Sequence, residues 1–286
     1  MKPKKLPGYL SPAERGWFYV FRFYGLVVLF FLVVPLVVIV PLSFNATPYF
    51  TFTKGMLEFQ PSAYSLKWYE TFFTNSQWLM ALKNSFIIAP IATLIATTLG
   101  TLAALGLTRP NMPFKTTITA LLVLPMIVPL IITATALFFY FSYLHIVDSY
   151  VGVIIAHAIL GTPFVVITVT ATLEGLEPQF FRAALSLGAT PRVAFFKVVM
   201  PLVLPGIVSG ALFAFMTSFD EVVIVLFIAG PDQTTLPLQM WTNLRYTIDP
   251  TILAVASMIL LLAVVLLGSM ELIRRRSEKL RGLSPQ

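Results

Sequence analysis

The sequence predicts an all-α, polytopic membrane protein of six transmembrane helices, with a short helical element on the cytoplasmic side between the fourth and fifth. Three observations predict it. Of 286 residues, 58% are hydrophobic and 11% charged, where soluble domains carry roughly a quarter charged residues. At about 20 apolar residues per crossing, this composition serves about six to eight spans and leaves no length for a soluble enzyme domain. Six apolar stretches, 24–42, 84–107, 116–141, 150–173, 201–229 and 250–273, are each long enough to cross a bilayer. Lys and Arg are then divided fifteen to four between alternate sides of these spans, which by the positive-inside rule puts both termini and the 173–200 loop in the cytoplasm. The whole chain, 1–286, reads as one transmembrane domain with a cytoplasmic N-terminal segment 1–23 and a cytoplasmic tail 274–286. The net charge of +7 reports orientation, not nucleic-acid binding.

The first span follows Lys2, Lys4, Lys5, Arg15 and Arg22 and lacks a small-residue cleavage site, so it reads as an uncleaved anchor. The outer segment 43–83 is rich in aromatic residues, among them Trp68, Tyr69, Phe72, Phe73 and Trp78, and reads as an aromatic belt at the headgroup level. In the second span Ala92, Ala96 and Gly100 form a small-residue face suited to close helix packing. Prolines at 35, 90, 125, 129, 163 and 205 interrupt spans that are otherwise taken as continuous; each frees a backbone carbonyl and can kink its helix.

Chemistry is narrowed by what the residues lack. There is no cysteine, hence no thiolate nucleophile and no cysteine-ligated metal. The two histidines, His145 and His157, have no carboxylate at ligand spacing: His145 reads as an interfacial residue and His157, inside the fourth span, as a hydrogen-bonded packing residue. None of the fifteen glycines precedes a lysine, so no phosphate-cradling G-x-x-x-x-G-K-[ST] loop exists. Any ATP-driven work needs another subunit.

The 173–200 loop is sharply punctuated. Pro178 suits the first turn of a helix, Gly188 a left-handed stop, and Thr190 with Pro191 the cap and first residue of a second helix that enters the membrane at Pro201. Ala183 and Ala184 leave a shallow surface flanked by Phe180, Phe181 and Leu185, a knob that an external groove could accept. A plain amphipathic connector lying on the bilayer is the competing reading. The run Arg182-Ala183-Ala184, three residues, Gly188, nine residues, then Val198-Val199-Met200-Pro201 resembles the E-A-A-x3-G-x9-I-x-L-P loop of binding-protein-dependent ABC importer permeases. LKNSFIIAPIATLIATTLGTLAALGLTR, LPMIVPLIITATAL and SFDEVVIVLFIAGPDQTTLPLQMW resemble the same permeases, and the last, with HAILGTPFVVITVTATLEGLEP, is similar to spermidine/putrescine importer subunits.

The resemblance implies a type I importer permease in a bacterial inner membrane. It would be paired with a second permease subunit and two ATPase subunits, and would receive substrate from a periplasmic binding protein. The chain itself needs no cofactor; ATP and Mg²⁺ would be bound by the partner ATPase. The loop then becomes a coupling helix seated in that ATPase, and the family's roles carry over to Ala183, Ala184, Gly188 and Pro201. Arg182 stands where the family has Glu.

In the fifth span Asp220 and Glu221 interrupt an apolar run, and a carboxylate at a helix centre costs roughly 2.5 to 3.5 kcal/mol on insertion scales. At helical spacing they share a face with Thr217 and Ile224 and could line a path for a cationic cargo such as a polyamine. The alternative is a structural acid paired with a neighbouring helix or reaching the outer interface. The loop 230–250 faces outside, and the resemblance makes Gln233, Thr235 and Trp241 binding-protein contacts; an ordinary polar connector is the alternative. Polyamine (putrescine or spermidine) is the favoured cargo, and the runner-up in the same class is a permease for an opine, an amino acid derivative, an iron chelate or thiamine. A different class of protein altogether would be an ATP-independent cation channel with Asp220 and Glu221 in a selective ring.

Overall fold

The computed structural model describes residues 11–246 and 249–280; these are mostly helical, joined by turns and irregular segments, with an isolated β-bridge between Asn45 and Tyr64 and no strand. The chain divides into two compact units, Met1–Thr74 with Ile248–Gln286, and Asn75–Thr247. Expectations for residues 1–10 and 281–286 lie outside the described residues.

In the first unit, helix α1 (Pro12–Leu42) starts earlier than its apolar stretch because Ser11 and Glu14 form a reciprocal capping box. Ser11 Oγ accepts from the Glu14 N–H at 3.3 Å and the Glu14 carboxylate accepts from the Ser11 N–H at 2.7 Å. The side chains of α1 are bare along most of its length. The segment that follows holds the short helices α2 (Lys54–Leu57) and α3 (Lys67–Thr74). Here the aromatic-belt reading needs correction. Trp68 and Phe72 are buried while Phe73 is exposed. The Trp68 indole donates to the Asn45 carbonyl at 2.7 Å, and Tyr69 shares a 2.7 Å hydrogen bond with Ser43. An indole N–H needs a partner when buried, and the buried Asn45 turn supplies one.

The second unit contains α4 (Ser76–Leu107), α5 (Lys115–Ile127), α6 (Leu130–Tyr143), α7 (Tyr150–Glu174), α8 (Pro178–Ser186), α9 (Pro191–Ala194), α10 (Met200–Phe219), α11 (Val223–Ile228) and α12 (Leu236–Tyr246). Helices α4, α7 and α10 pack together as its centre. Small residues make this possible: a Cβ on Gly100 would lie 2.7 Å from Val165 Cβ, and one on Gly161 would lie 3.0 Å from Ala214 Cβ. The Ala92, Ala96 and Gly100 face is thus a packing face, as its spacing suggests. Trp78 is likewise buried within the protein, at the start of α4. Helix α13 (Thr251–Leu280) belongs to the first unit and packs on α1 and α3.

Two of the expected continuous spans are broken. The third is split into α5 and α6, bent by 104°, at Val128, which is extended (φ −68°, ψ 136°). Proline disfavours the helical region for the residue before it, and Pro129 follows. Pro35, Pro90, Pro125, Pro163 and Pro205 stay inside helices. The fifth is broken between Phe219 and Val223. Among the described residues, four helices are long and apolar enough to cross a membrane, or five with the bent pair as one span.

Candidate functional site

The loop after α7 folds as its punctuation predicts. Glu177 is extended, Pro178 opens α8, and Gly188 takes a left-handed φ of +86°. The Gly188 N–H donates to the Leu185 carbonyl at 2.9 Å and the Ala189 N–H to the Ala184 carbonyl at 3.1 Å, the paired bonds of a Schellman stop. Thr190 is extended and accepts from the Val193 N–H, with Pro191 in the first turn of α9. Phe181 packs on the cluster formed by Ala96, Ala104, Val165, Val169, Val199, Val203 and Ala214. Arg182, Ala183 and Leu187 are exposed and Ala184 is half-buried. The element is therefore anchored by one aromatic side chain and offers an alanine face outward. Its exit to α10 is a π-helical turn, Phe195–Val199. Pro201 lacks the N–H that would bond the Lys197 carbonyl, and the wider turn accommodates the defect. A shallow cleft lies there, lined by Thr101, Leu105, Phe195, Val199, Met200, Val203 and Ile207.

The acidic pair lies at the break after α10, not on a helix face as expected. Asp220 closes α10 (φ −94°, ψ 5°) and is exposed. Glu221 is buried, and its Oε1 accepts from the Ile224 N–H at 2.8 Å. Ile224 is fully buried and Thr217 half-buried, so the four residues do not share one surface. Helix starts carry unsatisfied N–H groups, and Glu221 supplies an acceptor for one of them at the start of α11. Its neighbour keeps a free outlook. Beneath the break, His157 is buried and its Nδ1 pairs with Ser218 Oγ at 2.8 Å, joining α7 to α10 as a packing histidine; its Nε2 has no hydrogen-bond partner. His145 is exposed after α6 with a φ of +55°.

Residues 96–279 match the family of binding-protein-dependent transport system inner membrane components. The chain belongs to this family. It is 31% identical to the spermidine/putrescine transport system permease protein PotC of Haemophilus influenzae over 88% of this chain and 95% of that one. It is 32% identical to the putrescine transport system permease protein PotI of Escherichia coli K12 over 80% of this chain and 82% of that one. The sulfate transport system permease protein CysT of Salmonella typhimurium is 33% identical over 77% of this chain and 85% of that one. In fold, the chain is similar to a bacterial ABC transporter involved in alginate import, with a TM-score of 0.70, 14% identity and coverage of 93% of this chain and 99% of that one.

This ABC importer permease places the residues of its 230–250 loop unequally. Gln233 and Thr235 are buried, and Gln233 Oε1 accepts from the Gly230 N–H at 3.1 Å, so Gln233 shapes the loop from within. Trp241, on α12, is exposed, with the Arg245 guanidinium 5.5 Å from its ring. What holds this loop is a pair that the sequence reading passed over, Asn84 and Ser85. Asn84 Nδ2 donates to the carbonyls of Asp232 (2.8 Å) and Thr234 (2.9 Å), and Ser85 Oγ accepts from the Leu236 N–H at 2.8 Å. Adjacent polar residues facing inward from an apolar span were the available clue, since such groups need partners.

Proposed function

We propose that this permease subunit crosses the inner membrane six times with both termini in the cytoplasm and forms part of the path for a polyamine such as putrescine or spermidine. A periplasmic binding protein delivers the cargo. A second permease subunit completes the path, and two ATPase subunits, which bind ATP and Mg²⁺, drive it. Helix α8 is the coupling helix, with Arg182, Ala183, Ala184 and Gly188 at the docking surface and Pro201 at the hinge into the membrane. The observation that carries this reading is the α8 element, seated by Phe181, with Arg182 and Ala183 exposed, and ended by the left-handed Gly188. Between ATP binding and hydrolysis, a pull on α8 passes through the π-helical turn to α10, and α10 carries Asp220 at its far end.

The cargo class rests on Asp220 and on the polyamine permeases among the relatives. An exposed carboxylate suits an ammonium group, which needs an anionic or aromatic partner. Glu221 already accepts a main-chain hydrogen bond and serves the path by shaping it. The similarity to a sulfate permease favours the second reading, an importer of another small solute.

The decisive experiment is ATP hydrolysis by the assembled transporter in lipid, with a binding protein loaded with putrescine or spermidine. Stimulation by the loaded form, lowered about tenfold in apparent cargo affinity by Asp220→Asn, is the expected result; a lost charged hydrogen bond has about that effect. An Asp220→Asn transporter with wild-type polyamine uptake would remove Asp220 from the path, and equal stimulation by empty and loaded binding protein would count against polyamine as the cargo. Hydrolysis indifferent to polyamines but responsive to another solute would replace the cargo.

A further inference from the structure

The stretch from Asp220 to α12 packs on α4 through the apolar cluster of Ile88 with Ile224, Ile228 and Leu238, and its polar tie to α4 is made by Asn84 and Ser85. Asn84 has no exposed surface. Both its N–H groups are used on main-chain carbonyls of the outer loop, and its Oδ1 accepts from the Tyr150 hydroxyl at 2.7 Å. The two carbonyls determine which end of the carboxamide carries nitrogen, because only the NH₂ end can donate. Next to it, Ser85 receives the N–H of Leu236, the first residue of α12. On one side of this tie, α11 leads back to Glu221 and Asp220. On the other, α12 ends with Trp241, Leu244 and Tyr246 exposed. The tie is on α4, which packs against both α7 and α10. Satisfying a buried carboxamide through main-chain groups of a distant loop gains little stability over an apolar side chain, but it determines where that loop sits.

We propose that Asn84 is a positioning residue for the response to the binding protein. It holds the outer loop and α12 to α4, so that a partner bound on the exposed Trp241 face moves the helices that carry the path instead of the loop alone. The proposal rests on the importer reading above. The Tyr150 hydroxyl belongs to the same tie: it donates to Asn84 Oδ1 at 2.7 Å and lies 3.1 Å from the Asp232 carbonyl, the loop group that Asn84 also holds.

The test uses the complete transporter in lipid and follows ATP hydrolysis against the concentration of putrescine-loaded binding protein. Asn84→Asp is nearly isosteric but turns carboxylate oxygens towards two carbonyls. Tyr150→Phe removes only the hydroxyl. Expected for Asn84→Asp is a rise of at least about tenfold in the binding-protein concentration for half-stimulation, since both hydrogen bonds donated to the loop are lost, with hydrolysis in its absence unchanged. Tyr150→Phe should shift the same midpoint in the same direction by a smaller factor. A parallel fall of basal and stimulated rates with no shift in midpoint would mark a merely structural residue and overturn the proposal. So would wild-type midpoints in both variants. If the Asn84→Asp transporter fails to assemble, the Tyr150→Phe midpoint decides by the same criterion. A wild-type transporter that ignores the loaded binding protein overturns the importer reading and this proposal with it, whereas a responsive wild type with unshifted variants overturns this proposal alone.

Discussion

Gly210 and Gly106 both sit in helices, and their surroundings predict opposite outcomes of the same substitution. A Cβ on Gly210 would meet the Thr168 hydroxyl and lie 2.9 Å from Val165 Cα, whereas one on Gly106 meets nothing within 4 Å. Backbone atoms of α7 cannot move aside cheaply, so Gly210→Ala should destabilise by about 1 to 3 kcal/mol, the range for overpacking. Gly106→Ala should be neutral or stabilising by up to about 1 kcal/mol, the difference in helix propensity. Thermal unfolding in detergent compares the two directly; equal melting temperatures would show that α7 and α10 do not pack as closely as described. At this scale the sequence reveals the kind of residue but not its surroundings. Asp220 and Glu221 are adjacent and chemically alike, and only the helix break makes one exposed and the other a buried acceptor for the Ile224 N–H.

Among the elements, the α8 turn was legible because its causes are local. Pro178, Gly188, Thr190 and Pro191 each act on the backbone within a turn of themselves. A Cβ on Gly188 would meet nothing within 4 Å, so a substitution there acts through its φ of +86° alone. Left-handed backbone costs an L-residue roughly 1 to 2 kcal/mol, least for Asn. Gly188→Asn should therefore keep the stimulation of ATP hydrolysis by loaded binding protein, while Gly188→Val should lose most of it with membrane insertion intact. Wild-type stimulation in Gly188→Val would count against α8 as the docking element. The breaks at Val128 and at Asp220 were not legible in the same way. Pro125, like Pro129, interrupts the third span, yet only Pro129 coincides with a bend, because a proline makes a break available and the packing of neighbouring helices decides whether it is used.

For the whole molecule, the natural absence of cysteine makes orientation directly testable. Leu187 after α8 is 89% exposed and Tyr246 at the end of α12 is 78% exposed. With both termini inside, a membrane-impermeant maleimide applied from outside should label Tyr246→Cys in intact cells and leave Leu187→Cys unlabelled until the membrane is opened. The reverse pattern would invert the topology, and labelling of both would remove the α10 crossing. The bare surface of α1 belongs to this scale as well, since a helix with so many exposed apolar side chains must be covered by lipid or by another subunit.

Membrane residence, the stop of α8 at Gly188 and membership of the permease family were readable along the chain. These follow from composition and cap chemistry, which act locally or by simple summation. Tertiary structure decided the rest. Trp68 left the headgroup belt for a small core because the Asn45 carbonyl was within its reach. Asn84 acquired its role from carbonyls 148 and 150 residues further along the chain. A polar group's partner across such a separation is chosen by the packing of whole helices, and no local pattern encodes that choice.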